Sequence, residues 1–149
     1  MTTRDELSEI EEKGDHTELM RSALEGDTAT LSTLLAGGAD MNAKDSEGRT
    51  ALMFAVINMH TDAAKELLEH GADVNAIADD GGTALMLAAS SGDTESVRAL
   101  LSKGADPANR YHQTGETALM LAEKNNHTDI VELLAGRSHT AGAQLLLTV

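Results

Sequence analysis

The chain has 149 residues, with 11 Lys and Arg against 25 Asp and Glu, a formal net charge of −14 at pH 7. A chain this acidic has no long-range attraction for a nucleic-acid backbone or an anionic membrane surface. It contains no Cys, which removes disulfides, thiolate nucleophiles and Cys-ligated metal centres, and its aromatic content is 1%. With so few large rings a core must be assembled from Leu, Ala, Val, Ile and Met, thin and finely subdivided.

In chain order, Thr3, Arg4, Asp5 and Glu6 have the form of a capping box and predict an acidic helix within residues 1–16, ending near Gly14. The opening residues lack the apolar stretch of a signal peptide. The longest apolar run, Leu145 to Leu147, is far short of the roughly 20 residues that span a bilayer. The expectation is a cytoplasmic protein.

Periodicity organises the rest. Thr50-Ala51-Leu52-Met53-Phe54-Ala55 is echoed from Thr83 and Thr117, at steps of 33 and 34 residues, with a weaker copy from Thr17. Gly38-Ala39-Asp40 recurs from Gly71 and Gly104. Each Thr stands where an N-cap hydroxyl is wanted, followed by helix-favouring residues. A second apolar set follows in each copy: Leu31/Leu34/Leu35, Ala64/Leu67/Leu68, Val97/Leu100/Leu101 and Val131/Leu133/Leu134. The first three have the i, i+3, i+4 spacing of one helical face. The recurrent Gly is a C′ candidate, and the polar stretch beyond it suits an extended finger.

Asp45-Ser46-Glu47-Gly48-Arg49-Thr50-Ala51-Leu52, continued by Leu67-Leu68-Glu69-His70-Gly71-Ala72-Asp73-Val74-Asn75-Ala76, resembles an ankyrin repeat throughout. The family's Pro is Ala at 51, 84 and 118, and its His is Met at 20, 53, 86 and 120. The resemblance, over roughly residues 12–137, implies an all-α repeat solenoid of helix-turn-helix units joined by β-hairpin-like fingers. The expected organisation is an acidic helix over 1–16, one domain over 17–137 with repeats near 17–44, 45–77, 78–110 and 111–137, and a tail over 138–149. Arg21 and Ser22 in the first copy, and Glu123 and Lys124 in the fourth, replace apolar residues of the middle copies. They read as the polar outer faces of terminal repeats, and Ala135-Gly136 reads as cutting the last Leu pair short.

No hydrolase, metalloprotease, phosphate-loop or dinucleotide motif is present, and no enzyme, metal or cofactor is expected. The four repeated Met suit a core column better than a soft-metal ladder. His60 and His127 suit hydrogen bonding at helix starts, and His70 the C-terminal end of a helix dipole. His16, His112 and His139 read as loop residues.

What remains is the surface. The resemblance implies a non-catalytic protein-binding module whose fingers and first helices form a concave groove. By position, the finger sites are Lys44, Ser46, Glu47 and Arg49, then Ile77, Asp79, Asp80 and Gly82, then Arg110, Gln113, Thr114 and Glu116. The first-helix sites are Leu24, Glu25, Ile57, Asn58, Ser90, Ser91, Lys124 and Asn125. The third finger is one residue longer and carries Tyr111, read either as an exposed binding anchor that adds nothing to thermal stability or as part of a neutral loop insertion. The partner is expected to be a protein with a basic surface, and the chain to be monomeric alone. The competing readings are a metal- or ligand-responsive protein using Met or His, and a binding scaffold with no natural partner.

Overall fold

In every repeat the first helix begins on a threonine hydroxyl. Thr17, Thr50, Thr83 and Thr117 take extended backbone, and their Oγ1 accepts from the N–H of Met20, Met53, Met86 and Met120 at 3.1 to 3.4 Å. The computed structural model describes residues 16–138, so the segment before His16 and the tail from His139, with its Leu triplet, lie outside the described residues. The helices are α1 (Glu18–Glu25), α2 (Thr28–Ala36), α3 (Ala51–Ile57), α4 (Thr61–Glu69), α5 (Ala84–Ser91), α6 (Thr94–Ser102), α7 (Ala118–Lys124) and α8 (Thr128–Ser138). No strand occurs among the described residues, and the fingers are built from turns.

The helices pair as antiparallel units and stack. First helices pack in the row α1, α3, α5, α7, and second helices in the row α2, α4, α6, α8. Gly38, Gly71 and Gly104 close the second helices as expected, each with positive φ, and the following N–H reaches back to Leu34, Leu67 or Leu100. Asp40, Asp73 and Asp106 then turn the chain by accepting from the N–H two residues on. Asn42 and Asn75 join layers, each side-chain oxygen accepting from the N–H of the next repeat's Asp at 2.8 and 2.7 Å.

The core is a column of Leu, Ala, Val, Ile and Met. Several assignments change within it. In α8 the buried residues are Ile130 and Leu134, while Val131 and Leu133 are only half-buried. The helix also runs through Gly136 rather than stopping there. Met20, Met53 and Met86 are core residues at 1–2% exposure, but Met120 is 44% exposed, since α7 is the last first helix of the row among the described residues. Ser22 is buried rather than outward, its hydroxyl donating to the Leu19 carbonyl. Glu123 and Lys124 do face solvent.

The turn between the two helices of a repeat alternates along the stack. All four turns place a residue in the left-handed region: Gly26, Met59, Gly92 and Asn126, at φ 73, 58, 84 and 60°. After the glycines come Asp27 and Asp93, which cap the next helix by accepting from the N–H of Thr30 and Ser96 at 3.1 Å. The Thr30 hydroxyl, with that N–H, holds the Asp27 carboxyl below its ordinary pKa. After Met59 and Asn126 come His60 and His127. His60 makes no side-chain cap bond, and His127 Nε2 lies 3.2 Å from the Ser90 carbonyl of the preceding repeat. A Cβ at Gly26 would stand 2.5 Å from His60 Nδ1, and one at Gly92 2.6 Å from His127 Cε1. Both histidines are therefore packed over the preceding repeat's glycine turn; His127 keeps a hydrogen-bond contact at its helix start, to the Ser90 carbonyl, whereas His60 makes no side-chain cap bond. His70 behaves as expected, its Nδ1 2.9 Å from the Glu66 carbonyl.

Met59 occupies a Schellman position, with its own N–H bonded to Val56 and the His60 N–H to Ala55, and it is 51% exposed. Met59→Gly is expected to raise stability by about 1 kcal/mol through relief of the left-handed backbone. Gly92→Ala is expected to lower it by at least about 1 kcal/mol, from backbone strain and the His127 ring together. Urea unfolding followed by circular dichroism checks both.

Candidate functional site

Asp45, Ala78 and Tyr111 stand in equivalent register at the foot of successive fingers. Their N–H groups donate to the carbonyls of Arg49, Gly82 and Glu116 at 3.0, 2.9 and 3.0 Å. Asp45 is a buried carboxylate held by the N–H of Glu47 and Arg49 and by Arg49 Nε at 2.8 Å. His16 Nε2 is 3.2 Å from its Oδ2, with the His16 side chain 2% exposed, so His16 is a packed residue and not a loop bystander. The His16 ring meets Phe54 edge-on at 5.4 Å, and the Arg49 guanidinium lies 5.0 Å from the same ring centroid.

The second and third fingers lack that carboxylate. In the first two, the tip Gly48 or Gly81 N–H reaches back three residues to Asp45 or Ala78; in the third, Gly115 N–H reaches back four residues to Tyr111, at 2.8 Å. The extra residue is absorbed by this wider turn. Fingers are linked through Asp79 N–H to the Glu47 carbonyl and His112 N–H to the Asp80 carbonyl, each at 2.9 Å. Lys44 Nζ also donates to the Ile77 carbonyl, at 3.2 Å.

A cleft of about 270 Å³ opens between these fingers, α3 and α5. Met53, Phe54, Ile57, Ala78, Leu87 and Tyr111 give it apolar walls, and Gly82, Arg49 and the exposed carboxyl-bearing residues Glu47, Asp79 and Asp80 complete its lining. α3 and α5 pack less extensively than the other neighbouring first helices, and the cleft lies along that junction. Gly82 is required by close approach, since a Cβ there would stand 2.9 Å from both Tyr111 Cε1 and Asp80 Oδ1. Asp80 Oδ1 accepts from the Gly82 N–H at 2.8 Å.

Seven of the expected binding positions therefore converge on one cleft: Glu47, Arg49, Ile57, Asp79, Asp80, Gly82 and Tyr111. Others are structural ties. Asn58 Nδ2 donates to the Leu24 carbonyl at 2.8 Å, and Asn125 Nδ2 to the Ser90 carbonyl at 3.3 Å, satisfying carbonyls at helix ends of the preceding repeat. Leu24 is itself buried, not groove-facing, whereas Glu25 is exposed. Lys124 pairs with Glu116 at 3.3 Å, and Arg110 Nη1 donates to the Gly115 carbonyl at 3.0 Å. Ser46, Ile77 and Gln113 are exposed and Ser91 half-buried, outside the cleft. Met53 is expected in the core column, and Phe54 and Leu87 are not among the expected binding positions. The signal was present: Phe54 and Leu87 lie one turn before Ile57 and Ser90.

Tyr111 is half-buried, in contrast to the exposed anchor expected of it. Burial, then the negative charges of Asp80 and Glu116, raises its phenol above the ordinary pKa. Tyr111→Ala is expected to lower stability by about 1–2 kcal/mol, because half a ring of packing is lost, while Tyr111→Phe preserves most of it. Thermal melting decides this. As the chain's only Tyr, it also reports its own titration. The tyrosinate absorbance midpoint is expected above about 10 in the folded protein and near 10 in denaturant. The folded state then holds its proton more tightly, so stability is expected to fall as pH rises from about 10 through the folded pKa.

The family model described as ankyrin repeats (3 copies) matches the chain twice, over residues 19–111 and 77–146. No curated protein matches it. Repeats of this family are generally protein–protein interaction modules and typically non-enzymatic. With the family model covering most of its length and capped helix pairs stacked in the order described, the chain belongs to the ankyrin-repeat family.

Proposed function

We propose that this chain is a non-catalytic module that binds a partner protein through the concave surface of its fingers and first helices. The observation that carries the reading is the apolar cleft at the α3–α5 junction, with Ile57 exposed at 47% on its wall. Ile77, 43% exposed, precedes the cleft residue Ala78 in the chain. Apolar side chains left open in a recess gain most when a partner's side chains replace water there. The framework repeats while the concave positions vary, as a recognition surface requires. With a net charge of −14, the partner is a protein with a basic surface, met by a monomer in the cytoplasm, and association slows as salt is added.

Ile57→Asp and Ile77→Asp test this, with Met120→Ser on the last repeat as a control. Affinity capture with quantitative mass spectrometry is expected to recover partner proteins with the wild type and the control. Ile57→Asp is expected to reduce recovery at least about tenfold, as for the loss of a buried apolar anchor. Partners recovered equally by both isoleucine variants, with their folds intact, would place binding elsewhere.

A further inference from the structure

We propose that the cleft takes one basic side chain, a lysine or arginine of the partner, with its alkyl stem on the apolar wall and its charged head at Asp79 and Asp80. This rests on the concave-surface reading and narrows it to a chemistry. Size is the first argument. At about 270 Å³ the cleft falls below the about 300–1,000 Å³ of cofactor and drug-sized sites, and suits a side chain.

Charge is the second. Three carboxylates border the cleft against one guanidinium, and Arg49 is already bridged to Asp45 and to Glu47, at 2.8 and 3.2 Å. Among the described residues no cation lies within ion-pair distance of Asp79 or Asp80. Asp79 stands against the neighbouring finger, its Oδ1 2.8 Å from where a Gly48 Cβ would be. Asp80 stands on the other flank, where its charge helps to raise the Tyr111 pKa.

A neutral apolar plug would displace part of the water around both exposed carboxylates without pairing them, which is unfavourable. An anionic group would be repelled. A basic side chain meets both demands, because its stem is apolar and its head is charged. Tyr111 adds an aromatic ring to the same lining, and aromatic rings favour a nearby cation.

The test uses the full chain and a displayed library of random dodecapeptides, selected on the wild type. Tyr111 emission serves as the reporter, since the chain has no Trp and no other Tyr. Selected peptides are expected to carry Lys or Arg, and to change Tyr111 emission on binding. Replacing that residue by uncharged norleucine is expected to weaken binding at least about fivefold, the upper range of a partly exposed ion pair. Asp79→Asn is expected to match that loss, and Asp79→Lys to exceed it. Among the described residues the Asp79 carboxylate has no hydrogen-bond or ion-pair partner, so these variants should melt with the wild type.

Peptides without basic residues, or binding unchanged by norleucine and by Asp79→Lys, overturn the proposal. If such peptides are nonetheless lost with Ile57→Asp, the concave surface stands and only its basic occupant is wrong. If no selected peptide responds to Ile57→Asp, both readings fall.

Discussion

The stack depends on how closely its helices can approach, and on three of the four first helices two deeply buried residues one turn apart are alanines. Ala51 and Ala55, Ala84 and Ala88, and Ala118 and Ala122 are each at most 2% exposed. Small side chains let helix backbones approach, so each layer needs only a thin filling of Leu and Met, which is how a core forms with 1% aromatic residues. The first repeat obeys the same limit with a different residue. Ser22 stands in the Ala55 position and is buried because it is small, its hydroxyl satisfied by the Leu19 carbonyl. Polarity there does not signal an outward face.

The same spacing explains the alternation of the inter-helix turns. A histidine ring fits over the preceding turn only where that turn has no Cβ, so His60 follows a repeat with Gly26, and His127 one with Gly92. The His-bearing repeats give up the aspartate cap and use Met59 and Asn126 in the left-handed position, where backbone strain is greater. Asp93 in turn is buried and accepts from the Thr61 hydroxyl of the preceding repeat at 2.8 Å. The structural period is thus two repeats, although the family signature has a period of one.

Local chemistry was readable from the sequence. Threonine caps, glycine C′ positions, Asp turns and helix pairs depend on residues within a few positions of one another, and each copy repeats them. What depends on the next layer was not. Leu133 matched the apolar pattern by composition, yet of the expected set only Leu134 is fully buried, joined by Ile130. Met120 matched the core string, but a residue is buried only when another layer covers it. His16 carried no motif, and its role exists only because Phe54 and Asp45 come to it from the next repeat. Asn58 and Asn125 varied like recognition residues while serving helix-end carbonyls across the repeat junction.

The cleft has its origin in the same stacking. At the foot of the first finger a buried aspartate gathers two backbone N–H groups and the Arg49 side chain, and so fills its own space. Ala78 replaces it in the next finger with a methyl group that cannot fill that space. The third finger supplies Tyr111, whose ring approaches over Gly82 and closes one wall without occupying the hollow. The opening therefore arises from the sequence Asp, Ala, Tyr at one repeated position, combined with the larger Phe54 and Leu87 beside the alanines of α3 and α5. Departure from the repeat at framework positions, more than variation at the exposed ones, gives this solenoid a recess of its own.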